Sequence, residues 1–344
     1  MRKKPFWCAS TLFFAALTVS GQNVKPEALA QANLGVTLSQ KEKYPEAIQA
    51  YQRALGLDPD LPGLYLNLGL AWFKMGKFSE AAGAFEKESK ISPSDRTSTL
   101  LAMSYFGLGR YREAAQRLKP IAVSQPDNTE LAYLLARCYL WSGQYQESME
   151  LFRSLLTRDP NSATVHMLLG EALDADHSTS AAIAELEAAA KANPAQLDVH
   201  FGLGYLYWKQ KRYGEAAHEF QEELKYDPKN AKATAYLGDA LMKDGKKQEA
   251  MEFLKKSIQL SPGQHLAYLD LGILYADAGQ NAAAIREFRE AIRLDPSAYD
   301  AHYRLARLYR EMGKSAEADA EFATVHNLHE QKDQEPLMKI SGPK

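Results

Sequence analysis

Apolar and polar positions recur along this chain at two spacings. At short range, apolar side chains fall three and four residues apart, as on one face of an α-helix, and they do so twice between successive breaks. At longer range the whole pattern repeats, with breaks at Pro59, Pro93, Pro126, Pro160, Pro194, Pro228, Pro262 and Pro296. Six of the seven gaps are 34 residues and the other is 33. The expectation is one unit of two amphipathic helices used nine times: 28–61, 62–94, 95–128, 129–162, 163–196, 197–230, 231–264, 265–298 and 299–332. Arrays of this kind usually present a surface and carry no reaction centre.

Counting each proline as position 32 aligns the units. Position 7 is Leu in all nine, from Leu34 to Leu305, and position 8 is always Gly or Ala. Position 20 is Ala except at Ser148, and position 24 is large and apolar, as in Tyr51, Phe85, Phe220 and Phe288. Gly inside a helix costs roughly 1 kcal/mol against Ala, so its recurrence at position 8 implies close packing of two helix backbones beside the bulky residue at 24. Gly76, Gly109, Gly143, Gly245, Gly279 and Gly313 mark the turn between helices, with aromatics such as Phe78, Tyr111 and Tyr145 two residues on. Proline then separates units, because it lacks a donor and disfavours helix at the residue before it. Asp127, Asn161 and Asn230 are candidate N-caps.

This combination resembles the tetratricopeptide repeat family, whose loose consensus is matched in register from 28 to 332. The resemblance implies an all-α solenoid, a right-handed superhelix of nine helix-turn-helix units. First helices would line a concave groove, and second helices the convex wall. Two departures stand out. Position 27 should be small but is Glu88 and Glu223, each followed by a base at position 2 of the next unit (Arg96, Lys232), which suggests inter-repeat ion pairs. The turn from Asp174 to Thr179 lacks both Gly and aromatic, and is expected to be looser than its neighbours.

In the family, positions 2, 5, 9 and 12 of the first helix face the groove. Mapped here, they give Tyr133, Arg137 and Leu140 in repeat four, and Met167, Glu171 and Asp174 in repeat five. Repeat six gives Phe201, Tyr205 and Trp208, and repeat seven Ala235, Asp239 and Met242. Large apolar side chains are not needed at solvent-facing positions, so Tyr133, Met167, Phe201, Tyr205 and Trp208 suggest a binding surface. Glu171, Asp174 and Asp239 would favour a basic ligand segment. The alternative is that curvature buries these side chains against one another. Arg304, Arg307 and Arg310 of repeat nine form a second possible surface, for anions, though such a run is more often a solvated face. The carboxylate clamp of some family members is doubtful: Asn33 and Asn67 fit it, but Ala32, Leu100 and Leu134 break it.

Other chemistry is sparse. His166, His200 and His302 share position 4, where the family pattern has an aromatic, and are read as packing residues. His326 and His329, and the trio Asp174, Asp176 and His177, make weak metal sites. No metal or cofactor is expected. Gly-rich phosphate loops, nucleophile elbows and Cys-pair motifs are missing from the sequence. Glycosyltransferases with a similar array keep catalysis in a large domain after it, and only twelve residues follow repeat nine here.

The ends read differently. Arg2, Lys3 and Lys4 precede an apolar run from Phe6 to Val19, and small residues precede Gln22, so residues 1–21 read as a secretory signal peptide. The run is shorter than the roughly 20 residues that span a bilayer, and an uncleaved anchor is the minor alternative. Residues 22–27 form a lead-in, and 333–344, with Pro336 and Pro343, a disordered tail. Removing the three basic residues of the signal from 41 leaves 38 against 43 acidic, a formal −5. That balance argues against nucleic acid as the main partner. Only Cys138 survives processing, so it has no intramolecular disulfide partner and is expected as a buried inert thiol. The reading is an exported, non-catalytic scaffold or adaptor, in the periplasm or cell envelope if bacterial, without a stable membrane span once processed. It binds a peptide or partner domain in its groove. The second reading is an accessory role in envelope polysaccharide secretion or assembly.

Overall fold

The computed structural model describes residues 25–331; the predicted signal segment, residues 22–24 of the lead-in and the tail lie outside them. Eighteen helices and no strand occur among the described residues, an all-α solenoid of helix pairs. They divide between two compact units that part after Arg158. The first unit holds α1 (Pro26–Gln40), α2 (Tyr44–Leu57), α3 (Leu64–Lys74), α4 (Phe78–Ile91), α5 (Asp95–Gly107), α6 (Tyr111–Ser124), α7 (Thr129–Trp141) and α8 (Tyr145–Arg158). The second holds α9 (Ala163–Ala175), α10 (Thr179–Ala192), α11 (Val199–Lys209), α12 (Tyr213–Tyr226), α13 (Ala231–Lys243), α14 (Lys247–Leu260), α15 (His265–Asp277), α16 (Asn281–Leu294), α17 (Tyr299–Glu311) and α18 (Ser315–Gln331).

Within each pair the small residue at position 8 meets the bulky one at 24. A methyl group added to Gly69 would stand 2.5 Å from the Phe85 ring, and one added to Gly272 would stand 2.5 Å from Phe288. Both rings are fully buried. Ser148, the exception at position 20, donates its hydroxyl to the Ala136 carbonyl at 2.9 Å, so the polar atom is satisfied inside the pair. Successive pairs are tied by a tyrosine at position 11. Tyr105 donates to Glu86 in the first unit (2.7 Å). In the second, Tyr207 donates to Glu187 (2.7 Å), and Arg289 donates to the Tyr309 hydroxyl (2.9 Å). Leu34 is the outlier among the position-7 leucines: it is 44% exposed, on the first described helix, where no described helix pair precedes it.

The turn between helices needs a left-handed residue. All six glycines predicted there have φ between 70° and 86°. Repeats one, five and six hold the same conformation with Glu42 (φ 58°), His177 (φ 63°) and Lys211 (φ 61°). The turn at Asp174–Thr179 is therefore not looser than the others. Its backbone bonds, Ser178 N–H to Leu173 O (2.8 Å) and His177 N–H to Asp174 O (3.0 Å), match those at Arg110 and Gly109. Closure of the turn by these bonds offsets the strain of a side chain at positive φ.

Glu88 and Glu223 take a role that spacing did not reveal. In their repeats the first helix starts late, after a left-handed residue at position 2: Gly63 (φ 79°) before α3 and Asp198 (φ 67°) before α11. The buried Glu88 carboxylate accepts from Gly63 N–H (2.8 Å) and Leu66 N–H (3.2 Å), and Glu223 accepts from Phe201 N–H (3.2 Å). Each carboxylate caps the first helix of its own repeat, satisfying amides that have no intrahelical partner. Burial raises both pKa values, and the backbone donors oppose it. Lys232, expected beside Glu223, lies over the Phe201 ring at 4.7 Å. Of the predicted N-caps, Asn230 accepts from Ala233 N–H (3.0 Å), while Asn128, not Asp127, caps α7. Asp127 instead pairs with Arg158 at 2.8 Å.

Candidate partner-binding face

The predicted groove residues fall in both units. In the first, Tyr133 and Arg137 lie on α7, and both are half-buried. The Arg137 guanidinium sits over Phe106 and Trp141 (4.7 Å to each ring centre) and over Tyr133 (5.4 Å). Phe106 and Trp141 in turn touch each other and Tyr111. Arg137 is thus held by an aromatic box built from α5, α6 and α7, which directs its charge onto rings of its own chain.

In the second unit Met167, Glu171, Asp174, Phe201, Tyr205 and Asp239 are buried, and Trp208 is half-buried. Trp208 stacks on Tyr205 (5.9 Å, 16°) and takes the edge of Tyr236 (5.6 Å, 84°). Tyr236 also meets Phe201 and Tyr205 edge-on, at 5.7 and 5.8 Å. It is the hub of this cluster, yet it stands at position 6, outside the family's groove positions. Its hydroxyl pKa is pushed up, chiefly by burial.

Charges run beside these rings as a ladder through five successive first helices. Lys209 of α11 bridges to Asp174 of α9 at 2.7 Å. Trp208 Nε1–H donates to Asp239 of α13. Lys243 Nζ lies 2.9 Å from Asp239 Oδ2 and 4.4 Å from the Trp208 ring centre. Asp270 of α15 is hydrogen-bonded to Asp239. Its pKa is raised well above the ordinary carboxylate range, by burial and then by the charge of Asp239, while Lys243 and Arg304 of α17 pull the other way. One Asp270 oxygen, Oδ2, is buried without a hydrogen-bond partner. Burial and a neighbouring like charge both disfavour a further negative charge at Asp270, which explains the direction of the shift. Arg304, Arg307 and Arg310 are all exposed. Arg307 reaches Glu311 at 3.3 Å, and Arg310 lies 4.2 Å from the Phe322 ring centre.

The position-4 histidines are more than packing residues. His166, His200 and His302 each place Nδ1 against a Glu nineteen residues on, at 2.6, 2.7 and 2.6 Å: Glu185, Glu219 and Glu321. In His166 and His302 the other nitrogen faces the carbonyl of the preceding proline, at 3.0 and 3.2 Å. In repeat six the late start of α11 removes that arrangement, and His200 Nε2 is buried without a partner. The signal was present in the sequence: every repeat with His at position 4 has Glu at position 23. Among the described residues no group of three potential metal ligands comes together, and no helix is long and apolar enough to cross a membrane. A cavity of about 560 Å³ opens in repeat one, lined by Glu27, Gln31, Arg53 and Leu57, none of them a predicted groove residue.

Tetratricopeptide repeat models match residues 30–76, 105–172, 167–224, 212–265, 274–313 and 300–331. The peroxisomal targeting signal receptor of Candida albicans is 30% identical over 31% of this chain and 18% of its own length. A small glutamine-rich tetratricopeptide repeat-containing protein of Mycosarcoma maydis is 30% identical over 26% of this chain and 25% of its own. The chain thus spans a quarter or less of these curated relatives. Among solved structures, yeast Tom70 aligns over 88% of this chain and 92% of its own, at 14% identity and a TM-score of 0.44.

Proposed function

We propose that this chain, which carries tetratricopeptide repeats along most of its described length, is a non-catalytic scaffold that holds a peptide or partner domain against its first helices. The observation that carries the reading is Trp208. It is half-buried, locked between Tyr205, Tyr236 and the Asp239 carboxylate, and still reaches the surface. A large aromatic fixed in one orientation loses little freedom on binding, and such residues dominate interface energies. Tyr303, 38% exposed on α17, is a second anchor of the same kind. Of the buried predicted groove residues in this unit, Tyr205 and Asp239 hold Trp208 in place. The matched relative named as a receptor for a targeting signal fits a peptide-binding role.

Export is part of the proposal and rests on the basic and apolar pattern of residues 1–21. Its test is whether the mature protein in an envelope fraction begins near Gln22; an intact N-terminus in the cytoplasm would overturn it. Binding is tested by cross-linking the purified chain to an envelope extract and comparing Trp208→Ala and Tyr303→Ala with the parent. Loss of the same partners by both variants supports the reading. Retention of every partner by both would sink it, and capture of oligosaccharide alone would replace it with the sugar-binding alternative.

A further inference from the structure

We infer that the partner segment held by the second unit is acidic, gripped by Arg304, Arg307 and Arg310 with Lys243 beside them. The inference rests on the binding role proposed for the first-helix face and names the chemistry of its ligand. Counting residues in the sequence pointed the other way, because Glu171, Asp174 and Asp239 would favour a basic ligand. The structure sorts these charges by depth. Asp239 is 1% exposed and Asp270 2% exposed, and Asp174 lies under its bridge to Lys209. The side chains above them are cations: Lys243 is 34% exposed while bonded to Asp239. An approaching ligand meets ammonium and guanidinium groups, and the Asp174 and Asp239 carboxylates beneath are already matched by their own lysines and the Trp208 N–H.

The arginines extend that layer. They stand three residues apart on α17, so their stems rise about 4.5 Å at each step, and all three are exposed. Asp300 and Glu311 flank the stripe, and the 3.3 Å contact of Arg307 with Glu311 joins two exposed side chains. Such pairs are worth roughly 0–1 kcal/mol, so a carboxylate with better geometry displaces Glu311 readily. Arg310 is steadied by its stack on Phe322, and a guanidinium presents a planar fork that matches a carboxylate in two bonds. α15 packs against both α13, which carries Lys243, and α17, which carries the stripe, so the two stand on the first helices either side of α15 in the same unit. Tyr303 and Trp208 supply apolar anchors that suit polypeptide side chains, and a chain of formal charge −2 is poorly suited to nucleic acid.

The test is fluorescence anisotropy with the full chain and two labelled twelve-residue peptides, one of Glu with two Tyr and one with every Glu replaced by Lys. The Glu peptide is expected to bind at least tenfold tighter, to weaken with added salt, and to lose at least tenfold in an Arg307→Glu, Arg310→Glu double variant. That variant changes exposed side chains only, and circular dichroism checks its fold. Tighter binding of the Lys peptide, lost in Trp208→Ala, would overturn the acidic ligand and leave the scaffold standing. Equal binding of the Glu peptide by parent and double variant would overturn it as well. Binding of neither peptide sinks the inference, while the cross-linking experiment judges the scaffold separately.

Discussion

A histidine and a glutamate nineteen residues apart are the smallest unit with a measurable consequence. His200 lies 2.7 Å from Glu219, and its pKa is raised first by that bond, with burial opposing and Glu222 and Glu223 assisting. A raised folded value means stability that is fully present below the unfolded pKa of about 6.5. It is lost as pH rises through the folded value. The thermal midpoint of the parent should therefore exceed that of Glu219→Gln at pH 5.5, and the gap should narrow toward pH 8.5. A gap that stayed constant with pH would mean that the pair acts only through packing, and one that widened would mean that the fold favours neutral His200. His166 and His302 differ in having the proline carbonyl on the second nitrogen. Histidine at the family's aromatic position thus adds a bond between the two helices of a repeat as well as filling space.

At the scale of the helix pair, the contact between positions 8 and 24 decides how close two backbones come. Gly272→Ala would gain about 1 kcal/mol of helix propensity. Its methyl group would also stand 2.5 Å from a Phe288 ring with no exposed surface, and overpacking of that kind costs roughly 1–3 kcal/mol. The expected outcome is a net destabilisation of about 1 kcal/mol. Gly83→Ala is the control: it lies exposed in α4 with nothing within 4 Å of an added methyl, and should gain about 1 kcal/mol. Chemical denaturation of both variants checks the pair, and stabilisation by Gly272→Ala would show that Phe288 moves freely. The helices, their pairing and the glycine turns were legible because each follows from residues close in sequence. The turns at His177 and Lys211 were less so, since any residue closes such a turn when its hydrogen bonds offset the strain. The glutamate caps were illegible because they depend on a left-handed residue 25 positions away.

Among the described residues Cys138 is the single cysteine, so no disulfide joins one repeat to another, and each unit is held by packing between neighbours. Cys138, on α7 of the first unit, reports on that packing. It has no exposed surface, and burial pushes its thiol up to about 12. In a Cys8→Ser background at pH 8, the thiol should stay unlabelled by a maleimide for hours in native buffer. It should react within minutes once denaturant unfolds the first unit, as followed by mass spectrometry. Rapid labelling under native conditions would mean that this unit opens locally around α7.

A period of 34 residues carries the count of helix pairs, their amphipathic faces and the small-against-large contact within each pair, because those features repeat wherever the same short-range packing repeats. It says nothing about which way a side chain turns once neighbouring repeats close over it. The depth order of acids and bases on the second unit arose there. Lys209, Tyr236 and Asp270 sit at positions the repeat leaves unspecified, and each meets a partner 31 to 35 residues away, while Lys243 reaches Asp239 within its own helix. Folding buried the aspartates because lysines and an indole N–H were in reach to satisfy them, which left the cations outermost.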